Sequence, residues 1–347
     1  MMNSQMITMA MMIDSLSLHP SHSLDVSTNY KTTLNDKNMP DFTNTLIVGI
    51  SSRTLFDLEQ EDKLFKEKGI SEYRKVQREK ENEELKPGTA FHLVQALLNL
   101  NKLSTTNRLV EVIVMSSNSP ETGVRILNSI KSLNLDITRS AFTGGEKIAS
   151  YIEAFQVDLF LSKNEQDVQE VIDSKTAAAA LILEPPTNFK SEKDTVRIAF
   201  DADAVLFSDE SEQIYKSQGM DAFHKNESEN ENIPLKEGPH GKLLKTLSKI
   251  QQYMDTTIEL TPLRLAIVTA RNSPSHMRVI KTLRDWDVYV DEAFFLGGMP
   301  KDKILKAFNA HIFFDDQDVH LDGAKKVVPS AKVPYSSDSP LKKKKEK

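Results

Sequence analysis

The sequence contains no cysteine. This absence excludes disulfide bonds, thiolate zinc sites, iron–sulfur clusters and cysteine nucleophiles, and it fits a reducing compartment. Long apolar runs are absent as well, because the longest strictly apolar stretch is residues 177–183 and a membrane helix needs about 18 such residues. We therefore expect a cytoplasmic protein with no membrane partner, whose chemistry depends on oxygen and nitrogen ligands.

An excess of positive charge is also lacking. Lys and Arg together number 44 and Asp and Glu number 50, so the formal net charge is −6. A chain without a broad basic stripe is a poor candidate for binding a nucleic-acid backbone, and we expect no nucleic-acid partner. Hydrophobic residues make up 39% and charged residues 27% of the 347 residues, which is typical of a folded globular protein with about two domains.

The two ends of the chain differ in composition from its middle. Residues 1–40 are rich in Met, Ser, Thr and Asn, contain no arginine and show no sustained periodicity, so we expect a disordered leader and not a targeting segment. Residues 336–347 include four consecutive lysines, and such a run is usually a solvated face or tail. We expect this end to be a disordered basic tail.

The middle of the chain repeats itself at an offset of roughly 150 residues. LFDLEQEDKLFKEKGISEY has a counterpart in LFSDESEQIYKSQGMDAF, and IVMSSNSP has one in IVTARNSP. Further matches follow in the same order along the chain. They indicate an ancient tandem duplication, with copy one at residues 41–190 and copy two at residues 191–335.

Each copy has the pattern of an α/β unit. Short apolar runs rich in β-branched residues alternate with helical patterns, such as the i, i+3 series Val124, Leu127 and Ile130. Near-continuous apolar strands between helices are typical of a mostly parallel sheet covered on both faces. We predict two tandem Rossmann-like parallel-sheet units. The predicted strands are residues 46–50, 111–115 and 158–161 in copy one, and residues 196–200, 263–268 and 311–314 in copy two.

Charged and hydroxyl side chains follow the predicted strands of copy two. Ligands of parallel sheets bind beyond the carboxyl ends of the strands, so these side chains are the candidates for a site. Each of them alone also fits an ordinary helix cap, turn or surface position. Their joint occurrence at strand ends favours a functional site. The candidates are, in chain order, Asp201, Asp203, Thr269, Lys301, Asp315 and Asp316.

This set of groups suits phosphoryl transfer through an aspartyl-phosphate. One carboxylate attacks phosphorus, carboxylate and carbonyl oxygens hold Mg²⁺, and a hydroxyl and an ammonium group neutralise the phosphate oxygens. A second Asp protonates the leaving alkoxide and then activates water. Two-component receiver domains use similar groups, but their acidic pair comes at the first strand and their phosphoacceptor at a later one. The order in this chain therefore excludes a receiver.

The pattern DxDxV, a strand-end Thr, a Lys and then DD resembles the haloacid-dehalogenase-like phosphohydrolases. More closely, RIAFDADAVLFSDESE, VTARN, FLGGMPK and HIFFDDQ in copy two resemble the cytosolic 5'-nucleotidase type I family. So do ISSRTLF, ENEELKPGTAF and TGG in copy one, and the likeness covers residues 43–335. The resemblance implies two haloacid-dehalogenase-like units and Mg²⁺-dependent hydrolysis of nucleoside 5'-monophosphates, preferentially AMP.

The same resemblance implies a role for each candidate residue. Asp201 would be the nucleophile and a metal ligand, and Asp203 the general acid and base that also lends a carbonyl to the metal. Thr269 and Lys301 would bind phosphate. Asp315, with Asp316, would complete the Mg²⁺ site. Ala202 stands where many relatives carry glycine, and both residues are small.

Copy one departs from this pattern. Its first strand is followed by Ser51, Ser52 and Arg53, and Lys163 stands where copy two has Asp316, so this half is expected neither to hold Mg²⁺ nor to form a phosphoenzyme. Two interpretations stay open. These four residues form an anion site for a nucleotide effector, or the half is a scaffold whose cleft binds nothing. The sequence also leaves open whether the chain forms a homo-oligomer.

A mostly helical insertion is predicted at about residues 209–260, where phosphatases of this type often carry a cap over the cleft. Phe223 or Tyr215 in this segment would stack on a base or would belong to the core.

Three functions compete at this stage. A 5'-nucleotidase is favoured; a related phosphomonoesterase or nucleoside phosphotransferase is the alternative. A catalytically silent nucleotide-binding scaffold is disfavoured because copy two retains the complete set of acidic and phosphate-binding candidates.

Overall fold

A ten-stranded sheet forms the centre of the molecule. The computed structural model of the chain describes residues 42, 44–104, 107–187, 189–254 and 261–345. The strands are β1 (Leu46–Ile50), β2 (Val110–Ser116), β3 (Arg139–Phe142), β4 (Leu159–Ser162), β5 (Ala178–Ile182), β6 (Val196–Phe200), β7 (Leu263–Thr269), β8 (Glu292–Phe295), β9 (Ile312–Asp315) and β10 (Ser330–Lys332). Every residue of β1, β2 and β4 is buried, as expected where both faces of a parallel sheet are covered.

The strand order is β3-β2-β1-β4-β5-β10-β9-β6-β7-β8. Counted outward from the middle of the sheet, the first half has the order β5-β4-β1-β2-β3 and the second half the equivalent order β10-β9-β6-β7-β8. Neighbouring strands within each half are parallel. The halves meet where β5 and β10 pair antiparallel, with Ala331 opposite Ile182. Because this junction reverses the strand direction, the carboxyl ends of the two halves lie at opposite edges of the sheet.

Thirteen α-helices lie in the described ranges. They are α1 (Ser52–Leu55), α2 (Glu59–Glu79), α3 (Phe91–Leu100), α4 (Val124–Ser132), α5 (Ala149–Ile152), α6 (Glu165–Ser174), α7 (Glu210–Gln218), α8 (Met220–Glu229), α9 (Gly241–Tyr253), α10 (His276–Asp285), α11 (Asp302–Phe308), α12 (Asp318–Ala324) and α13 (Pro340–Lys345). None of them is long and apolar enough to cross a membrane. The α/β class and the mostly parallel sheet predicted from the sequence are confirmed.

The six predicted strands agree with the structure to within one residue at each end, but four strands were not predicted. β3 (Arg139–Phe142) and β8 (Glu292–Phe295) are edge strands of four residues each that are only half-buried. β5 is rich in alanine, which has little strand preference, and β10 has three residues. Strands of this kind depend on pairing with a neighbour and leave little signal in the local sequence.

The predicted apolar face of α4 is wrong, although the helix itself is present. Val124 and Leu127 are exposed, and the helix instead buries Ile126 and Ile130, an i, i+4 pair. The matching helix α10 behaves in the same way, with Val279 and Leu283 buried. An i, i+3 pattern and an i, i+4 pattern overlap on a short helix, and packing against the sheet selected the second.

The insertion predicted at about residues 209–260 is helical in its described part. Gly219 separates α7 from α8 with a φ of 86°, and Gly69 interrupts α2 in the same way with a φ of 75°. Both values lie in a region that favours glycine. Helix α9 belongs to the main hydrophobic core through Leu244 and Leu247, so the predicted insertion includes one core helix.

The structure differs from the expected disordered tail at residues 336–347. Leu341, at the start of α13, packs with Ala204 and Tyr335 in a small apolar cluster. Ser337 donates hydrogen bonds from its backbone N–H and its hydroxyl to Asp173 on α6. These contacts order the segment ahead of the lysine run. The predicted leader, residues 1–40, lies outside the described residues.

His240, which precedes α9, is fully buried against two aromatic rings. Its ring centroid lies 4.8 Å from that of Phe314 and 6.3 Å from that of Phe200. Neither ring nitrogen has a hydrogen-bond partner among the described residues. Burial lowers the pKa of His240 to about 3. The folded protein therefore keeps this imidazole neutral at pH values where an exposed histidine carries a charge.

We expect His240 to make the folded state sensitive to acid. The unfolded chain takes up this proton below about pH 6.5, whereas the folded chain resists it until about pH 3. Stability from the neutral imidazole is thus complete above pH 6.5 and falls by about 1.4 kcal/mol per pH unit below it. When the pH falls from about 6.5 to about 4.5, the free energy of unfolding of His240→Leu should decrease by about 2.7 kcal/mol less than that of wild type. Urea unfolding at both pH values measures this, and equal losses in the two proteins would contradict the assignment.

Candidate functional site

The carboxyl ends of β6, β7 and β9 bring the candidate side chains of copy two together. β6 lies between β7 and β9 in the sheet. Asp201 follows β6, Thr269 ends β7 and Asp315 ends β9, and all three are buried. The main chain at Asp201 is fixed by a 2.8 Å hydrogen bond from its N–H to the carbonyl oxygen of Phe314. The parallel pairing thus gathers residues that are far apart in the sequence.

Lys301 joins two of these carboxylates. It directly precedes α11, and its Nζ donates to Asp201 Oδ1 at 2.6 Å and to Asp315 Oδ2 at 2.7 Å. Only 1% of the lysine side chain is exposed. Burial acts to lower the pKa of Lys301, but the two carboxylates outweigh it and raise the pKa. This lysine is therefore a buried, charged ammonium group inside the site.

Asp201, Asp315 and Asp316 form an acidic cluster, with one oxygen from each carboxylate within 4.8 Å of the other two. Asp316 accepts a hydrogen bond from Tyr335 through Oδ2, while its Oδ1 is buried and has no hydrogen-bond partner among the described residues. With all groups ionised, the three carboxylates and Lys301 carry a formal charge of −2. An orphaned carboxylate oxygen and an excess of buried negative charge both fit a divalent cation with hard oxygen ligands.

Burial dominates the electrostatics of the acidic cluster. It raises the pKa of Asp201 to about 6, against the opposing effect of Lys301. The pKa of Asp315 is raised for the same reason. Burial, with the charges of Asp315 and Asp201, raises the pKa of Asp316 well above its ordinary value. A bound cation would offset this penalty and favour the ionised carboxylates.

The carboxylate of Asp203 faces a partner that the sequence analysis missed. Arg271 donates to it in a bidentate arrangement, from Nε to Oδ2 at 2.7 Å and from Nη2 to Oδ1 at 2.6 Å. The guanidinium also donates through Nη1 to Glu227 on α8. Arg271 lies two residues after Thr269, within the motif VTARN. Its position just after a strand was the sequence feature that could have identified it as a site residue. Glu227 left no local signal.

The remaining sequence candidates lie where the strand ends predicted them. Thr269 is 1% exposed, and its Oγ1 accepts a 3.2 Å hydrogen bond from the backbone N–H of Arg271. The chain after Asp201 forms an irregular turn over Ala202–Leu206, in which Asp203 is extended and Ala204 has a φ of 60°. Phe223 is buried, and the Cζ atom of Arg271 lies over its ring, 5.2 Å from the ring centroid. It therefore belongs to the packing around the site.

The candidates in copy one line a cavity of about 440 Å³ at the other edge of the sheet. Ser51, Ser52, Arg53 and Lys163 all border it. The two cations are already paired: Arg53 with Glu59 at 2.8 Å and with Asp62 at 2.9 Å, and Lys163 with Glu59 at 2.9 Å. The sequence did not reveal these acidic partners, which lie in the first turn of α2.

Comparison with known proteins gives the family. The model of the 5'-nucleotidase family matches residues 39–340. Human cytosolic 5'-nucleotidase 1B is 36% identical over 298 residues, which is 82% of this chain and 48% of that protein. This chain thus spans about half the length of that curated relative.

Among solved structures, histidinol dehydrogenase from Elizabethkingia anophelis covers 72% of this chain and 50% of that chain at 8% identity. Its TM-score of 0.21 is too low to bear on the fold. The family match, in contrast, spans both halves of the sheet and confirms the resemblance seen in the sequence motifs. The chain belongs to the 5'-nucleotidase family.

Proposed function

We propose that this protein hydrolyses nucleoside 5'-monophosphates, preferentially AMP, to nucleoside and phosphate, with Mg²⁺ as cofactor and an aspartyl-phosphate on Asp201. The observation that carries the proposal is the buried site of Asp201, Lys301, Asp315 and Asp316 at converging strand ends. In a member of the 5'-nucleotidase family, this site has the groups that phosphoryl transfer requires.

In the first step, an oxygen of Asp201 forms a bond to phosphorus and the bond from phosphorus to the 5' oxygen breaks. Asp203 gives a proton to the departing 5' oxygen and then accepts one from the water that hydrolyses the aspartyl-phosphate. Lys301 and Thr269 bind phosphate oxygens and stabilise their negative charge. Asp201, Asp315, Asp316 and the carbonyl of Asp203 would hold Mg²⁺, which would supply positive charge to neutralise the phosphate.

The site lies in the second of two similar half-sheets, and we propose that these arose by tandem duplication. Supporting observations are the identical strand order of the halves and the equivalent glycine kinks at Gly69 and Gly219. Residues 210–229, the helices α7 and α8, are proposed as the cap over the cleft. The name of the human relative, cytosolic 5'-nucleotidase 1B, describes a cytosolic protein, and we propose a cytoplasmic location here as well.

Asp201→Asn should lower turnover of AMP by at least about 10³-fold, because the amide keeps the shape and removes the attacking charge. Phosphate release measures this effect. Asp322→Asn is the matched control, since Asp322 is an exposed residue of α12 paired with Lys325. It should retain full activity. Activity of Asp201→Asn within tenfold of wild type would rule out the proposed nucleophile.

Substrate class is tested with a panel of nucleoside monophosphates and sugar phosphates. We expect phosphate release to be fastest with AMP. Faster release from sugar phosphates would instead favour a general phosphomonoesterase, and transfer of the phosphate to an added nucleoside would favour a phosphotransferase. No release from any substrate would favour a silent nucleotide-binding scaffold.

Mg²⁺ should stabilise the folded protein even without substrate. A ligand at about 100 times its Kd adds about 2.7 kcal/mol to the free energy of unfolding, so thermal melting should shift upward. Asp315→Asn should remove this shift and raise the Mg²⁺ concentration needed for activity. Asp322→Asn again serves as the control. An equal melting shift in Asp315→Asn and wild type would place the metal elsewhere.

For copy one, we propose that the cavity beside Arg53 and Lys163 binds the phosphate of a nucleotide effector. The side chains of Ser51 and Ser52 and the Gly144–Gly145 turn line the same cavity and offer further donors. Glu59 competes with any incoming anion because it pairs with both cations. Asp62 and Glu184 each pair with one of these cations as well, so the affinity of the site depends on the balance between the two cations and their carboxylate partners.

Glu59→Gln should tighten nucleotide binding at this site, and Arg53→Ala should weaken it by about 10-fold or more, since a charged hydrogen bond contributes about 1.5–3 kcal/mol. The measurement is the rate of AMP hydrolysis against ADP concentration, together with a melting curve with and without ADP. Opposite shifts in the two variants support the effector site. Identical ADP responses in wild type and both variants would favour a scaffold.

A further inference from the structure

We propose that Arg271 and Glu227 are positioning residues that hold the carboxylate of Asp203 in place for proton transfer. This inference rests on the proposed function, in which Asp203 is the general acid and base. Neither residue needs to touch the substrate for this role. Arg271 orients Asp203, and Glu227 orients Arg271.

The contacts of Arg271 leave its side chain little freedom. Two of its nitrogens bind Asp203, and Nη1 donates to Glu227 and, at 3.2 Å, to the carbonyl oxygen of Ser275. The ring of Phe223 lies against the guanidinium plane. The arginine side chain is 2% exposed. A planar, bidentate donor of this kind fixes both the position and the rotation of a carboxylate.

Glu227 completes the arrangement from the side of α8. Its side chain has no exposure, and it accepts hydrogen bonds from Ser211 at 2.9 Å and from Arg278 at 3.0 Å, besides the one from Arg271. The four charged groups Asp203, Arg271, Glu227 and Arg278 are balanced two against two. Glu227 is therefore held by contacts besides the one from Arg271, and the guanidinium group of Arg271 links α8 to Asp203.

Pairing with Arg271 leaves Asp203 able to take part in proton transfer. A carboxylate offers about four lone-pair positions, and a bidentate guanidinium uses two of them. One of the others carries the proton that Asp203 gives to the leaving oxygen, and the same position takes up a proton from the attacking water. The geometry thus restricts the direction of the carboxylate without using its full capacity for hydrogen bonds.

The first half of the chain has different residues at the positions that correspond to this charged set. By the offset of the two halves, Asp203, Arg271 and Glu227 correspond to Arg53, Ser117 and Gln77. All three charges are replaced together in the half that lacks the nucleophile. The set therefore occurs only in the half that carries Asp201, as expected if it serves the chemistry of Asp203.

Another arginine at equivalent positions is present in both halves, buried at Arg125 and partly buried at Arg278. Arg278 donates through Nε to the carbonyl oxygen of Ile233 at 2.9 Å, and Arg125, its counterpart, donates to that of Glu83 at 3.0 Å. This contact ties the segment after the helix to the rest of each half. Since the attachment is present where Arg271 is absent, Arg271 is not required for it. A buried ion pair is also rarely needed for stability alone.

The test compares two leaving groups in a single turnover with enzyme in excess. The 5' oxygen of a nucleoside is a poor leaving group and needs the proton from Asp203, whereas 4-nitrophenolate leaves without one. Arg271→Lys should slow nucleoside release from AMP by about 10²-fold, the lower end of what acid–base catalysis contributes. It should change release of 4-nitrophenolate from 4-nitrophenyl phosphate by less than about fivefold, because Asp201 still attacks phosphorus.

Glu227→Gln is the second variant, and it keeps the shape of the side chain. We expect a smaller effect in the same direction, with nucleoside release about 10-fold slower and nitrophenolate release unchanged. Arg125→Lys is the matched control, since it perturbs another buried arginine, which pairs with Glu61 in the other half. It should lower the melting temperature and leave both release rates as in wild type.

Three results would overturn the inference. Equal slowing of both substrates in Arg271→Lys would indicate a general structural role. A raised KM for both substrates with unchanged release rates would make Arg271 a phosphate ligand. Release of neither product by wild type would remove the proposed function and this inference with it, whereas the first two results leave the proposed function intact.

Discussion

The buried contact of Lys301 with Asp201 and Asp315 is the interaction on which the site depends. Three carboxylates gathered at the ends of buried strands repel one another, and burial already makes their ionised forms costly. One ammonium group between two of them offsets part of that cost. The negative charge that remains makes the site suited to a divalent cation, so the position of the lysine and this suitability follow from the same geometry.

The antiparallel junction between β5 and β10 has a consequence for the whole molecule. Because it reverses the direction of the second half-sheet, the acidic site and the copy-one cavity open at opposite edges. The segment that follows β10 lies beside the acidic site, because Tyr335 donates a hydrogen bond to Asp316. Ser337 in the same segment contacts Asp173 on α6. The two halves thus share a backbone plan and differ in the charges at their strand ends.

Several features of the site could be predicted from the sequence because they depend on strands with strong local signals. β6, β7 and β9 are apolar runs, so the positions of Asp201, Thr269 and Asp315 at their ends were visible. The pairing of Arg271 with Asp203 was not visible, since it joins residues that follow different strands. Glu227 is in a helix whose local sequence is polar, and only packing shows that its side chain is buried.

The sequence by itself determined the class of the fold, the order of the motifs and the half that carries the acidic residues. Hydrophobic periodicity and residue type are local properties, so they can be recognised in the sequence without knowing which residues are in contact. The tertiary structure decided which charges neutralise one another: Lys301 with two aspartates, Arg271 with Asp203 and Glu227, and Glu59 with the two cations of copy one. Electrostatic pairing depends on distances of a few ångströms between residues up to about 100 positions apart, and these distances exist only after the strands and helices have packed.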